Sequence, residues 1–262
     1  MAGIRNSLRM ARKRSSEQGN EGKMRTWKRY AAALAMVATL AGCATTATNP
    51  NDPLEPFNRA MFQFNEGLDN VLLKPAGEAY RAAIPDLVRT GVTNFFSNIE
   101  DLWIGANNLL QGKVEEGLTD FMRVLVNTFF GFTVLDIASD AGMTKHGEDF
   151  GQTLGRWGVG SGPYLVLPIF GPSTFRDGVG LAVDFRADPV VQVDHVPTRN
   201  TLYTGRVVSD RANLLDASRI LEEAALDKYI FVRDSYLQRR RSLIYDGNPP
   251  REALTANDES RR

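Results

Sequence analysis

The chain has 262 residues, with 31 Lys+Arg against 31 Asp+Glu, 43% hydrophobic residues, one cysteine and two histidines. A lone cysteine excludes an internal disulfide framework and a cysteine-rich zinc site. Beyond residue 42 acidic residues outnumber basic ones by 29 to 22, which gives nucleic acid no basic footprint to bind.

Residues 1–23 form a polar, basic extension, and Met24 is the more natural start. After it, Arg25, Lys28 and Arg29 precede an apolar run over residues 30–40. A run of about 11 residues is far short of the ~20 that span a bilayer, but it fits the 7–15 of a signal-peptide apolar region. Residues 24–42 therefore read as a secretion signal. Its end, "LAGC", resembles the lipobox of bacterial lipoproteins, which implies that Cys43 is acylated and becomes the first mature residue. In that family Ala44 beside the cysteine implies release to the outer membrane. The plainer alternative is a free or buried thiol after the signal. A nucleophilic role is disfavoured, because "CATTATNPNDP" is too polar and too rich in Pro and Asn to hold a thiol in a pocket beside a base. Without residues 1–42 the chain keeps 22 basic and 29 acidic residues, a net of −7. Attraction to a lipid surface must then be apolar rather than polybasic. About 200 residues remain for one sizeable core.

Residues 43–53 read as a tether of Thr, Asn and Pro, and residues 54–245 as one helical domain. In "DPLEPFNRAMFQFNEGLDNVLLKP", Phe57, Ala60, Met61, Phe64 and Leu68 recur at helical spacing, with Pro56 suited to a first turn. In "TNFFSNIEDLWIGANNLLQGK", Phe95, Phe96, Ile99, Leu102, Trp103, Ala106, Leu109 and Leu110 share one face, and Asn98, Asp101, Asn107 and Asn108 lie largely outside it. "VEEGLTDFMRVLVNTFFGF" repeats the pattern through Val114, Leu118, Phe121, Met122, Leu125 and Phe129. The short Gln-Gly-Lys connection predicts an antiparallel helical hairpin.

From Gly151 the composition changes. "GQTLGRWGVGSGPYLVLPIFGPSTFRDGVGLAVDF" alternates glycine with apolar residues and carries Pro163, Pro168 and Pro172. No long regular helix can run through its first half. Irregular apolar backbone is tolerated at membrane depth only where protein shelters it or where it lines a wet cavity. Residues 209–245 return to helical spacing through Leu214, Ala217, Leu221, Ala225, Val232, Tyr236 and Leu243. Arg239, Arg240 and Arg241 fall in the last turns, where positive charge suits the helix dipole. Residues 246–262 read as a disordered polar tail. With no run of alternating strands and no fixed repeat, the prediction is an all-α domain.

Catalytic signatures are missing. His146 and His195 stand alone in polar surroundings, and no H-E-x-x-H pair occurs. The glycines of "GRWGVGSGP" lead into proline instead of a helix, and Ser161 lacks the nucleophile-elbow spacing. No cofactor or metal is expected. Two polar pairs have open readings. Thr174 can cap a helix with Asp177 reaching back and Arg176 in solvent, or Arg176 and Asp177 can meet a lipid head group. Asn127 and Thr128 can lie on the far side of a helix or line a channel.

Four strings, "NDPLEPFNRAMFQFNEGLD", "RVLVNTFFGFTVLDIASDAG", "EDFGQTLGRWGVGSGPYLVLPIFGPSTFRDGVG" and "RANLLDASRILEEAALDKYIFVRDSYLQRR", resemble the MlaA (VacJ) phospholipid-transport lipoproteins. The resemblance covers about residues 52–241. It implies amphipathic helices forming a ring-like domain within the outer membrane, a central channel, and association with a trimeric porin. Glycerophospholipids strayed into the outer leaflet would enter that channel and pass to a periplasmic carrier. Asn127, Thr128, Trp157, Tyr164, Phe170, Phe175, Arg176 and Asp177 are the candidate channel residues, and Cys43 the lipidation site. The competing readings are an adaptor lipoprotein that braces a porin and binds no lipid, and a tethered periplasmic hydrolase.

Overall fold

The computed structural model describes residues 52–250. The extension, the signal segment, Cys43, most of the tether and residues 251–262 lie outside the described residues. The described chain falls into two units, 52–57 and 58–250, and the second carries the features that follow.

The helix α1 (Glu55–Leu68) runs through a π-helical turn, Asp69–Leu73, into α2 (Lys74–Ala83). Then come α3 (Asp86–Leu110), α4 (Val114–Phe129), the short α5 (Ile137–Asp140) and α6 (Phe150–Arg156). Strands β1 (Tyr164–Leu167) and β2 (Gly171–Thr174) precede α7 (Phe175–Ala187), α8 (Val196–Asn213), α9 (Leu215–Ala224) and α10 (Lys228–Ile244). The fold is mainly α, as the periodicity predicts, with two departures. The proline-broken segment contains a small antiparallel hairpin, with Tyr164 opposite Thr174 and Leu167 opposite Gly171. Tyr164 and Val166 are buried and Leu165 and Leu167 less so, an alternation over four residues that is too short to stand out in sequence. The helix expected over residues 209–245 is broken into parts of three. Asp227 restarts the chain as α10 by accepting from the Ile230 amide at 3.1 Å, the capping that satisfies an orphan donor.

The hairpin is held from outside by α1. The Asn58 carboxamide donates to Tyr164 O at 3.0 Å and accepts from Val166 N at 2.9 Å. Two turns further along, Asn65 donates to Leu167 O at 2.9 Å and accepts from Ile169 N at 2.7 Å. Ile169 has φ +71° and Gly171 +81°. A β-branched residue in the left-handed region persists only where neighbours fix it, and Asn65 holds the amide of that residue. Tyr164, Val166 and Tyr229 form an apolar core with Met61, Phe62, Tyr236 and Leu237 against it.

The predicted α3–α4 hairpin forms, and its polarity is inverted relative to a water-soluble protein. Asn98, Asp101, Asn107 and Asn108 on α3, with Asp120, Arg123 and Asn127 on α4, are buried. Leu102, Leu109, Leu110, Val114, Leu118, Met122, Leu125 and Phe129 are 40–72% exposed. The buried face is tightly bonded. Arg123 donates to Asp101 at 3.1 Å, Ser139 at 3.0 Å, Met143 O at 2.6 Å and both oxygens of Asp136. Asn108 donates to Asp120 at 2.8 Å. Glycine permits this contact, since a Cβ on Gly117 would sit 2.9 Å from Gly105 O, and small residues at a crossing are what let helix backbones meet. No described helix is long and apolar enough to cross a membrane.

Candidate functional site

Behind the α3–α4 hairpin two adjoining cavities share Asp149, Phe170, Leu181 and Asp184. The larger, about 320 Å³, has apolar walls of Ile99, Trp103, Ile104, Phe185 and Tyr203, with Glu100, Glu148, Asp188 and Arg206 as its other charged groups. The smaller, about 170 Å³, is bounded by Leu167, Pro172, Ser173, Asp177, Tyr236 and Arg240. The pair is thus amphipathic, with charged groups and apolar walls around adjoining space.

Local sequence explains how the charges meet. Asp149 caps α6 by accepting from Gln152 N at 2.9 Å. Thr174 caps α7 by accepting from Asp177 N at 3.2 Å. The two helices touch at glycines, because a Cβ on Gly180 would lie 2.5 Å from Gly151 N. That contact brings Asp149, Asp177 and Asp184 around one space, into which α10 inserts Arg240. Arg240 binds Asp149 through both terminal nitrogens, with Nη2 to Oδ1 at 2.5 Å, and its Nε lies 3.1 Å from Asp177 Oδ2. Tyr236 donates to Asp177 Oδ2 at 2.8 Å, and Arg176 donates to Oδ1 at 2.8 and 2.9 Å.

Burial pushes the Asp177 carboxyl upward, but Arg240 and Arg176 outweigh it and hold the group below the usual carboxylate range. Asp149 follows the same logic, with burial opposed successfully by Arg240. Tyr236 is raised above its ordinary value by burial and by Asp177 beside it. Asp184 differs. Its Oδ1 accepts from Trp103 Nε1 at 2.7 Å and Phe150 N at 2.9 Å. Burial nevertheless keeps this carboxyl above the ordinary value.

The sequence-predicted residues scatter. Phe170 lines both cavities and Asp177 the smaller one. Arg176 is only 6% exposed, which corrects the reading that left it in solvent; the Thr174 cap of that reading is present. Asn127 is buried, donating to Asp136 Oδ1 at 3.0 Å and accepting from Ala138 N at 2.8 Å. Thr128 is exposed and accepts from Asn98 at 3.2 Å. Trp157 and Phe175 are exposed, and Trp157 donates to Leu110 O at 3.0 Å. Tyr164 is 1% exposed in the apolar core. Neither cavity is lined by these last six. Sequence reasoning missed Trp103, Asp149, Asp184, Arg206 and Arg240 as cavity groups. The one signal was polarity beside apolar helical faces, which does not say that five elements converge.

A third recess, about 610 Å³, is almost wholly apolar and lies between the first half of α3, Val134–Leu135 and α8, where Leu87, Val88, Phe95 and Leu202 line it.

Comparison with known proteins identifies a family for this fold. The MlaA lipoprotein family matches residues 50–243. The intermembrane phospholipid transport system lipoproteins MlaA of Shigella flexneri and Escherichia coli K12 are each 36% identical over 238 residues, covering 85% of this chain and 94% of theirs. A solved structure described as the structural basis for maintenance of bacterial outer membrane lipid asymmetry superposes with a TM-score of 0.65 at 35% identity. It covers 74% of this chain and 98% of its own. With the family matched across nearly the whole described domain, the chain belongs to the MlaA lipoprotein family.

Proposed function

We propose that this chain is an outer-membrane lipoprotein, acylated at Cys43, that withdraws mislocalised glycerophospholipids from the outer leaflet and hands them to a periplasmic carrier. The single observation that carries the reading is the inverted burial of α3 and α4: polar side chains inside, large apolar ones outside. In water such an arrangement leaves a large apolar surface unsatisfied. Among acyl chains it is the low-energy one, because the bonded polar network is withdrawn and only apolar atoms meet lipid. The helices lie in the bilayer rather than cross it singly, in keeping with their length and hydropathy.

Head group and tails then separate by chemistry. The polar head travels through the cavities bounded by Asp149, Asp177, Asp184, Arg206 and Arg240, while the tails follow the apolar walls. No bond is made or broken in this passage. Directionality comes from the periplasmic acceptor and the inner-membrane machinery behind it. A trimeric porin embeds against part of the outer apolar surface, and the channel of the ring-like domain is the path between leaflets. The relatives' names, which specify an intermembrane phospholipid transport system, support this reading.

The test is mass spectrometry of lipids retained by the protein extracted from membranes, paired with an assay of outer-leaflet phospholipid in a strain lacking it. Retained glycerophospholipid and a leaflet enriched in phospholipid are expected. A lipid-free protein and an undisturbed leaflet would leave the adaptor account standing instead.

A further inference from the structure

Five carboxylates line the larger cavity: Glu100, Glu148, Asp149, Asp184 and Asp188. Four are ion-paired, although Lys145 also binds Asp101, Lys113 also binds Asp246 and Arg240 also binds Asp177. Glu100 lies 3.5 Å from Lys145, Glu148 2.8 Å from Lys113, Asp149 is clasped by Arg240, and Asp188 by Arg206. Asp184 is hydrogen-bonded only by the neutral Trp103 indole and the Phe150 amide; among the described residues no lysine or arginine forms an ion pair with it, and Arg240 acts on it only through space. The cavity therefore carries a carboxylate with no direct ion pair in a half-buried, aromatic-walled space of about 320 Å³.

We infer that Asp184, with the Trp103 ring beside it, receives the cationic amine of a zwitterionic phospholipid head group of the ethanolamine class, and that the passage discriminates against net-anionic head groups. This rests on the transport reading above and adds a preference to it. The physical basis is twofold. A half-buried carboxylate that burial holds above its usual range gains most from an incoming cation. Two fixed donors on Oδ1 orient the group without using Oδ2, so it needs no reorganisation to accept an ammonium N–H. An anionic head, such as that of a phosphatidylglycerol, meets like charge there and obtains no cation in exchange, because Arg206 and Arg240 are already engaged.

The experiment incubates delipidated full-length protein in detergent with vesicles of equimolar phosphatidylethanolamine and phosphatidylglycerol, and reads the retained ratio by mass spectrometry. The wild-type protein is expected to enrich the ethanolamine lipid about fivefold, which corresponds to roughly 1 kcal/mol, and Asp184→Asn to bring the ratio close to one. Asparagine keeps the Oδ1 acceptor for Trp103 and Phe150, so the change removes charge rather than shape. As a measurement free of any variant, glycerophosphoethanolamine should shift the Trp103 indole N–H resonance of the wild-type protein, and glycerophosphoglycerol should not. Lipid retained at the vesicle ratio overturns the preference and leaves transport intact. The same holds for an unchanged ratio in Asp184→Asn or an unmoved indole signal. No lipid retained at all overturns both.

Discussion

The sharpest test of the inverted helices is to make the outer face of α4 polar. Leu118, Met122, Leu125 and Phe129 are 56%, 47%, 48% and 72% exposed. Complete removal of such a side chain from water is worth about 1.5–3 kcal/mol, so the exposed half of each contributes about 1–1.5 kcal/mol on entering a bilayer. Replacing all four by serine should weaken partitioning by about 4–6 kcal/mol, or three to four orders of magnitude in affinity. Because the buried Asp120, Arg123 and Asn127 lie on the opposite face of α4, the fold should survive, with an unchanged far-ultraviolet circular dichroism spectrum. The assay is vesicle flotation of a Cys43→Ser protein, which removes the acyl anchor and leaves the domain to bind by itself. Wild-type helices should float with vesicles and the quadruple variant should remain at the bottom of the gradient. Equal flotation of the two, or no flotation of either, refutes the argument that α4 presents its apolar stripe to lipid.

Arg123→Met should destabilise the domain by roughly 3–5 kcal/mol, since it leaves the fully buried Asp101 and the Met143 carbonyl without this donor; the urea midpoint in detergent measures it, and a loss under about 1 kcal/mol would mean that the network is not tightly bound. The pH dependence is read as the stability difference between wild type and Arg240→Gln. The folded carboxyls of Asp149 and Asp177 lie below their ordinary values, so the stability that Arg240 lends them is complete above about pH 4 and disappears as pH falls through their folded values. A difference that stays flat from pH 7 to pH 3 would contradict that assignment. Asn65→Ala should free the Ile169 amide and Leu167 carbonyl at a cost of about 1–3 kcal/mol, seen as faster hydrogen exchange at the hairpin tip than at Val166; exchange that stays as slow as in wild type would show that the tip needs no such bracing.

Much of the fold was legible in local spacing, and the remainder depended on what local spacing omits. The hairpin of α3 and α4 follows from apolar residues three and four apart and a three-residue connection. Which face turns inward does not follow, because an amphipathic pattern is the same whether water or acyl chains surround it. Here Asn107 and Asn108 are fully buried while Leu109 and Leu110 are exposed. The Thr174 cap was legible because its partner is three residues away. The burial of Arg176 and the role of Arg240 were not, since Asp177 is also bound by Tyr236, 59 positions downstream, and Arg240 reaches Asp149 across 91 positions. Arg240 near a helix end suits the dipole well enough for sequence alone to stop there. Nothing local marks Gly151 and Gly180 as partners, whereas the structure uses both for close approach.

A two-stranded ribbon is barely stable by itself, and an unsealed strand margin is an invitation to another chain. Asn58 and Asn65 occupy that margin of β1 with side-chain amides in place of a third strand. A polypeptide with so many apolar side chains facing outward is vulnerable to self-association in water. With β1 already stitched to a helix, clumping by strand addition at that margin is closed, and only greasy contact is left open.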